Sequence, residues 1–495
     1  MVTRKSRRFG TGFLRNFILD TTLIKGKVII VSTGSKSDLR KSDFTSQDYL
    51  HGIKERHGEQ WWLREWLFLT LQMSRNISIP HMNKKLAYGT VFLFTLIYIL
   101  SFVDRQIVAV LGTQIRDSLL LSNFQIGLLY GPAFSFVYAL AGIPMGRLAD
   151  RTSRKLMICL GLFTWSFMTL ISGFAASFTF LVTARLFVGL SQAMLSPAVY
   201  SYMADQFSPK KRATIFSLYA SGIFVGIGIS FLVGGTVSQL YDWRIAMVIV
   251  GLPGMLLAPL AWWYLREPER KMKMDQARPT MFDEILLMFK KPTIRWHLIG
   301  FSCLACTGYT ILAFVGNVFN DVFSSPEYIS RFGWFMFGVA GTVILSGRIA
   351  DLLARKNPAN RFWMGIVAAL GGIPFFLTGL FSQNVETAFL LIGTGVLISS
   401  SYNGVAAALL QYFVHSHQRA LAGGVYLFVI SIAGFGLGPP LTGWLTDSLF
   451  SGNYAVSQAI ITIILVCSSI ATYSFLQALK SYHQDAVTSY NQSGV

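Results

Sequence analysis

The sequence predicts an all-α integral membrane protein of twelve transmembrane helices in two six-helix halves, and three observations predict it. Apolar residues make up 53% of the chain and charged residues 13%, about half the charged share of an ordinary soluble protein. Apolar runs of about 20 residues, the length one helical crossing of a bilayer requires, recur throughout. A ten-residue cassette occurs twice, as GRLADRTSRK at 146–155 and as GRIADLLARK at 347–356. In lipid, backbone polar groups must be satisfied within a helix or in a closed barrel, and runs this long exclude the barrel.

The crossings fall near 86–111, 123–146, 156–174, 178–203, 213–236 and 244–265, then 295–320, 330–350, 360–381, 386–413, 420–445 and 455–479. The halves are thus 82–265 and 295–480. Between them lies a polar linker, 266–294, with Pro268, Pro279 and Pro292 and charges of both signs, and residues 481–495 form a tail. The matching pairs Arg212-Ala213 and Arg419-Ala420 repeat the cassette's offset of a little over two hundred residues. A duplication of this length built from spanning segments is the sign of a transporter with a central pathway.

Residues 1–81 do not fit this plan. The apolar stretch from Phe17 to Val31 is interrupted by Asp20, Lys25 and Lys27, so it is neither a signal peptide nor a crossing. The run from Trp61 to Met73 contains Arg64 and Glu65 and is too short to span, although it could lie on a membrane surface. Met82, followed by Lys84, Lys85 and the first crossing, has the character of a natural start, and the extension reads as a mis-assigned start or a disordered segment.

Loop charge gives the orientation. Arg147, Arg151, Arg154 and Lys155, then Lys210, Lys211 and Arg212, and Arg266, Arg270, Lys271 and Lys273 lie on one side, while turns of the other parity hold few cations, such as Arg116 and Arg244. The positive-inside rule places both termini, the linker and both cassettes in the cytoplasm. The net charge of +19 reflects loops beside anionic lipid and calls for no nucleic acid. Cys159, Cys303, Cys306 and Cys467 lie in apolar helices and His415 and His417 in a turn, so neither set makes a metal site. No cofactor is expected, and the chain reads as a monomer.

The cassettes resemble the loop signature of the major facilitator superfamily, over about residues 86–479. The stretches FVDRQIVAVL at 102–111, IGLLYGPAFSFVYALAGIPMGRLADR at 126–151, LSPAVYSYMADQFSPKKRAT at 195–214 and DWRIAMVIVGLPG at 242–254 resemble bacterial relatives of the Spinster family. That resemblance implies the two-half transporter fold and, from animal members, lysolipid or sphingolipid substrates. It also implies that the first cassette (Gly146, Arg147, Asp150, Arg151, Arg154, Lys155) holds the cytoplasmic side shut in the outward-open state. Asp150 would pair with an arginine and accept N–H groups at a helix start; Arg147, Arg154 and Lys155 are equally explained as topology signals. The second cassette keeps Gly347, Arg348, Asp351, Arg355 and Lys356 but has Leu352-Leu353 for Arg151-Thr152, so its latch should be weaker.

Ionisable residues inside the membrane are few, and each is a functional candidate. Asp104 and Arg105, adjacent in the first crossing, point about 100° apart, so one of them should face the central cavity. Asp104 is assigned to a proton or a cationic substrate group and Arg105 to an anion; a structural ion pairing of both is the alternative. Arg185, four residues before Gly189, fits a superfamily pattern. Gln192 stands where Spinster-like bacterial relatives typically have glutamate, and an amide cannot titrate, so proton coupling would rest on Asp104 or be absent. Tyr402, Asn403 and Gln411 offer neutral hydrogen-bonding groups in the second half. Pro439-Pro440 should bend the eleventh helix.

The leading function is a secondary transporter of a small molecule: a lysolipid or other amphiphile first, with organic-anion symport or drug/proton antiport as alternatives, and protons as a candidate coupling ion. A non-transporting membrane sensor is the alternative from another class. No metal-ligand cluster, nucleophile elbow or phosphate loop supports an enzyme. The expected location is a bacterial inner membrane.

Overall fold

The computed structural model describes residues 20–24, 27–31 and 84–492, apart from residue 208, 268–280, 356, 411–412 and 415–418. Lys356, Gln411, His415, His417 and most of the linker therefore lie outside the described residues, as does the surface-helix candidate at Trp61–Met73. The chain divides into two compact units, Met1–His81 and Met82–Val495. In the first, strands β1 (Asp20–Ile24) and β2 (Lys27–Val31) pair antiparallel, Asp20 opposite Val31 and Ile24 opposite Lys27. Within the apolar stretch that is too interrupted to span, the described residues thus form a strand pair.

Every described element of Met82–Val495 is helical. Twelve helices are long and apolar enough to cross a membrane: Leu86–Val110, Asn123–Gly142, Arg154–Ser172, Phe178–Gln206, Ile215–Leu240 and Trp243–Tyr264, then Pro292–Val322, Glu327–Leu353, Ala359–Leu380, Val385–Gly404, Leu421–Ser448 and Ala455–Tyr482. They are called spans one to twelve below. A short helix, Met281–Lys290, precedes span seven, and the last helix runs on to Gln492 through the residues read as a tail.

Small residues set how closely the spans approach. A Cβ on Gly251 of span six would meet Ser166 O and Leu170 N of span three at 2.6 Å, and one on Gly226 of span five would meet Ile99 O of span one at 2.5 Å. Only glycine permits those backbone contacts, and close packing supplies the association that a hydrophobic effect cannot supply between helices in lipid.

Several spans are irregular along their length or at one end. Spans five, seven and eleven carry widened π turns at Ser230–Gly234, Val318–Val322 and Ser431–Gly436, and span ten ends in a tightened turn at Ser400–Gly404. In span eleven the discontinuity lies just before the proline pair. Pro439 and Pro440 open the helix Gly438–Ser448, where a missing N–H would have had no helical partner in any case.

Candidate functional site

Span four grips span one through two side chains placed two turns apart. Arg185, 3% exposed, donates to the carbonyl oxygens of Asp104 (3.0 Å) and Arg105 (3.1 Å). Gln192 donates to Ser101 O at 3.2 Å and accepts from Arg105 Nη2 at 3.0 Å. Arg185 serves both neighbours because it binds their backbone carbonyls, not their side chains. Asp104 is 2% exposed, and its Oδ1 is buried without a hydrogen-bond partner.

Arg105 points elsewhere. Its guanidinium carbon lies 4.5, 4.6 and 4.7 Å from the ring centroids of Phe102, Phe134 and Tyr138. Among the described residues no carboxylate forms an ion pair with it. The aromatic frame continues into the second half. Phe435 packs on Tyr130 (4.7 Å) and Phe134 (5.6 Å) and stacks with Tyr309 at 4.4 Å. Gln106, which sequence reading passes over, accepts from the Tyr130 hydroxyl (2.8 Å) and donates across the halves to Leu312 O (3.0 Å). Tyr402 and Asn403 are not joined to this cluster by hydrogen bonds: Tyr402 packs on Phe301, and the Asn403 amide donates to Ser400 O at 2.9 Å.

At the cassette end Glu267 supplies an acid at a helix start. Its carboxylate accepts from Ser153 Oγ (2.7 Å), Lys155 N (2.9 Å) and Arg154 N (3.2 Å), covering the start of span three. Arg154, only 2% exposed, donates to Glu267 at 3.0 Å and to Asp205, at the end of span four, at 2.5 Å. Burial pushes the Glu267 carboxyl upward, but the Lys155 N–H, the Ser153 hydroxyl and Arg154 outweigh it, and its pKa falls below the ordinary glutamate value. Arg154 is therefore more than a topology signal. Its described members lie at the ends of spans three and four and at the start of the linker, so it braces the first half.

The Asp150 side chain lies outside the described residues. Lys155 Nζ sits 4.5 Å from the Trp262 ring, and Arg147 and Arg151 are exposed beside Pro144 and Leu148. In the second cassette Asp351, whose side chain is 75% exposed, pairs with Arg361 at 2.8 Å. Arg348 and Arg355 are exposed.

The halves are tied at the opposite end. Arg116 makes a bidentate pair with Asp321 (2.6 and 3.0 Å) and donates to Asn123 Oδ1 at 3.1 Å. Asp447 accepts from Asn123 Nδ2 (2.8 Å), Asn123 N (3.3 Å) and Phe124 N (2.7 Å), capping span two from the second half. Gly127 lies directly on Pro439 O, where a Cβ would come to 2.5 Å. Farther along the helix of span two, which runs on to Arg151, a Cβ on Gly142 or Gly146 would meet nothing within 4 Å, and the same holds for Gly423 and Gly424 of span eleven. The bundle is thus clamped at the end away from the cassettes and parted near them. Arg116 reads in the sequence as one of the few cations of its side; its partnership with Asp321 has no local signal.

Two six-helix halves, clamped at one end around an arginine-bearing aromatic cluster, define a membrane transporter. The chain belongs to the Major Facilitator Superfamily, whose family model matches residues 94–436. It is 26% identical over 420 residues to an MFS-type efflux pump of Mycolicibacterium smegmatis, covering 81% of this chain and 94% of that protein. It is 26% identical over 399 residues to a probable L-galactonate transporter of Escherichia coli, covering 76% and 86% respectively. Among solved structures, it resembles a bacterial homolog of the human lysosomal transporter Spinster in an inward-facing, unoccupied conformation. That match has TM-score 0.74 and 26% identity, and covers 82% of this chain and 99% of the other. The chain is a Spinster-like integral, multi-pass membrane protein.

Proposed function

We propose that this protein is a secondary transporter that moves an organic anion by alternating access, with Arg105 as the anion's anchor. One observation carries the reading: Arg105 is a partly buried guanidinium in an aromatic frame between the halves, and among the described residues no acid forms an ion pair with it. A charge in that setting requires a partner, and a substrate carboxylate or phosphate supplies one in bidentate geometry. The rings of Phe102, Phe134, Tyr138 and Tyr309 suit an apolar body on the same molecule, so anionic amphiphiles such as lysolipids fall within the class. The relative named for L-galactonate supports an organic acid.

Lysine and arginine in the loops support a cytoplasmic cassette end in a bacterial inner membrane, which makes the structure inward-open. Asp104 is the proton-coupling candidate, because Gln192 cannot titrate. Reporter fusions at Asp283, before span seven, should report a cytoplasmic position; an external one refutes the orientation. Transport into proteoliposomes across lysophospholipids, sugar acids and cationic dyes, each with and without a pH gradient, tests the substrate class. Uptake of the dyes with none of the anions refutes it.

A further inference from the structure

Span eight is the least buried of the twelve, at 22% of its apolar window against 33% or more elsewhere. Phe332, Met336, Val339, Ser346 and Ala350 form its buried stripe. Arg331, Trp334, Gly338, Gly341 and Leu345 stand on the other side of the helix and are exposed, as helical spacing requires. In a membrane that face meets lipid.

It is not a smooth face. Arg331, Trp334, Phe335 and Gly338, with Phe389 of span ten, line a groove of about 510 Å³. Its floor is fixed by packing. The Phe335 ring lies flat against Gly393, where a Cβ would come within 2.2 Å of it, and Phe389 meets Phe335 at 5.0 Å and Tyr328 at 5.3 Å. At the groove's mouth the Arg331 guanidinium carbon sits 4.8 Å from the Tyr328 ring centroid. Among the described residues no acid forms an ion pair with Arg331.

Depth identifies the occupant. Helix Glu327–Leu353 has 27 residues, roughly 40 Å at the helical rise, against a hydrocarbon core of about 30 Å. Arg331, one turn from the helix start, therefore reaches the headgroup layer, with Trp334 at the level where interfacial aromatics settle. A cation at headgroup depth above an apolar groove that opens sideways matches the shape and charge of a phospholipid.

We propose that this groove binds an anionic phospholipid of the leaflet opposite the cassettes, its headgroup on Arg331 and an acyl chain against Trp334, Phe335 and Phe389. The test is native mass spectrometry of the full chain titrated with phosphatidylglycerol and with phosphatidylcholine. Arg331→Gln should weaken phosphatidylglycerol retention about fivefold, the effect of one cation at an anionic interface, with phosphatidylcholine unchanged and Arg331→Lys close to the parent. Gly338→Trp, which fills the groove, should lower retention of both lipids. Equal phosphatidylglycerol retention in Arg331→Gln and the parent overturns the site. Displacement of that lipid by a transported anion also overturns it, by assigning the groove to the substrate path. Arg331 is exposed, so its variants carry the test even if Gly338→Trp fails to fold.

Discussion

Releasing the clamp between Arg116 and Asp321 should shift the protein toward its other conformation. The pair is bidentate at 2.6 and 3.0 Å, with side-chain exposures of 18% and 27%, and Asp321 reinforces the positive charge of Arg116 against the effect of its burial, raising the arginine's pKa. A charge-assisted contact is worth about 1.5–3 kcal/mol and an exposed pair about 0–1 kcal/mol. This partly exposed pair falls between them, at about 1–2 kcal/mol. It joins the halves only while this end is closed, so its whole contribution is differential between the two states. Asp321→Asn should therefore raise the ratio of open to closed about 5- to 30-fold. Spin labels at Leu240→Cys and Leu449→Cys, both exposed at the clamped end, would report it. The pulsed dipolar distance distribution should gain a longer component that grows further when Asp447→Asn is added. An unchanged distribution in the double variant would refute the clamp. High salt should mimic the single substitution in part, since screening weakens exposed pairs first.

Three further outcomes follow from the other clusters. Arg105→Gln should abolish saturable anion transport while Arg105→Lys retains it at weaker affinity, since the charge survives and the bidentate fork does not; equal flux in all three proteins would remove Arg105 from the site. Glu267→Gln should lower thermal stability by about 1 kcal/mol, discounted for solvent screening, and Asp351→Asn by less, because Asp351 is 75% exposed. The pKa of Glu267 is lowered on folding, so its contribution is present above the ordinary carboxylate range and lost as pH falls toward the folded value. The parent should consequently lose more stability than Glu267→Gln between about pH 5 and pH 3, and parallel pH profiles would contradict the brace. In transport, Asp104→Asn should abolish gradient-driven accumulation while leaving exchange intact, and Gln192→Glu should make flux more pH-dependent; full pH-driven accumulation by Asp104→Asn would make Asp104 structural.

Much of the architecture was legible without a structure because membrane insertion is read from local composition. An apolar run of spanning length, a cationic turn beside it and a repeated cassette each lie within a few tens of residues. The twelve spans, the two halves and the family all follow from them. Adjacency in one helix also brought Asp104 and Arg105 to notice, since a charge in lipid is conspicuous whatever surrounds it.

What the tertiary structure alone decided is partnership. Arg154 reaches Asp205 and Glu267, 51 and 113 residues away in sequence, and Arg116 reaches Asp321 across 205. None of these acids has a neighbour in sequence that marks it, and Glu267, which covers the start of span three, lies on a segment the sequence presents as linker. Which of Asp104 and Arg105 meets the other half depends on the rotation of span one against span four, set by Arg185 and Gln192 gripping its carbonyls. The sequence determines which segments cross the membrane because transfer of a helix into lipid is a sum over its own residues. Which charges meet, and which end of the bundle is closed, depends on how separately formed helices pack, and no local sum contains that information.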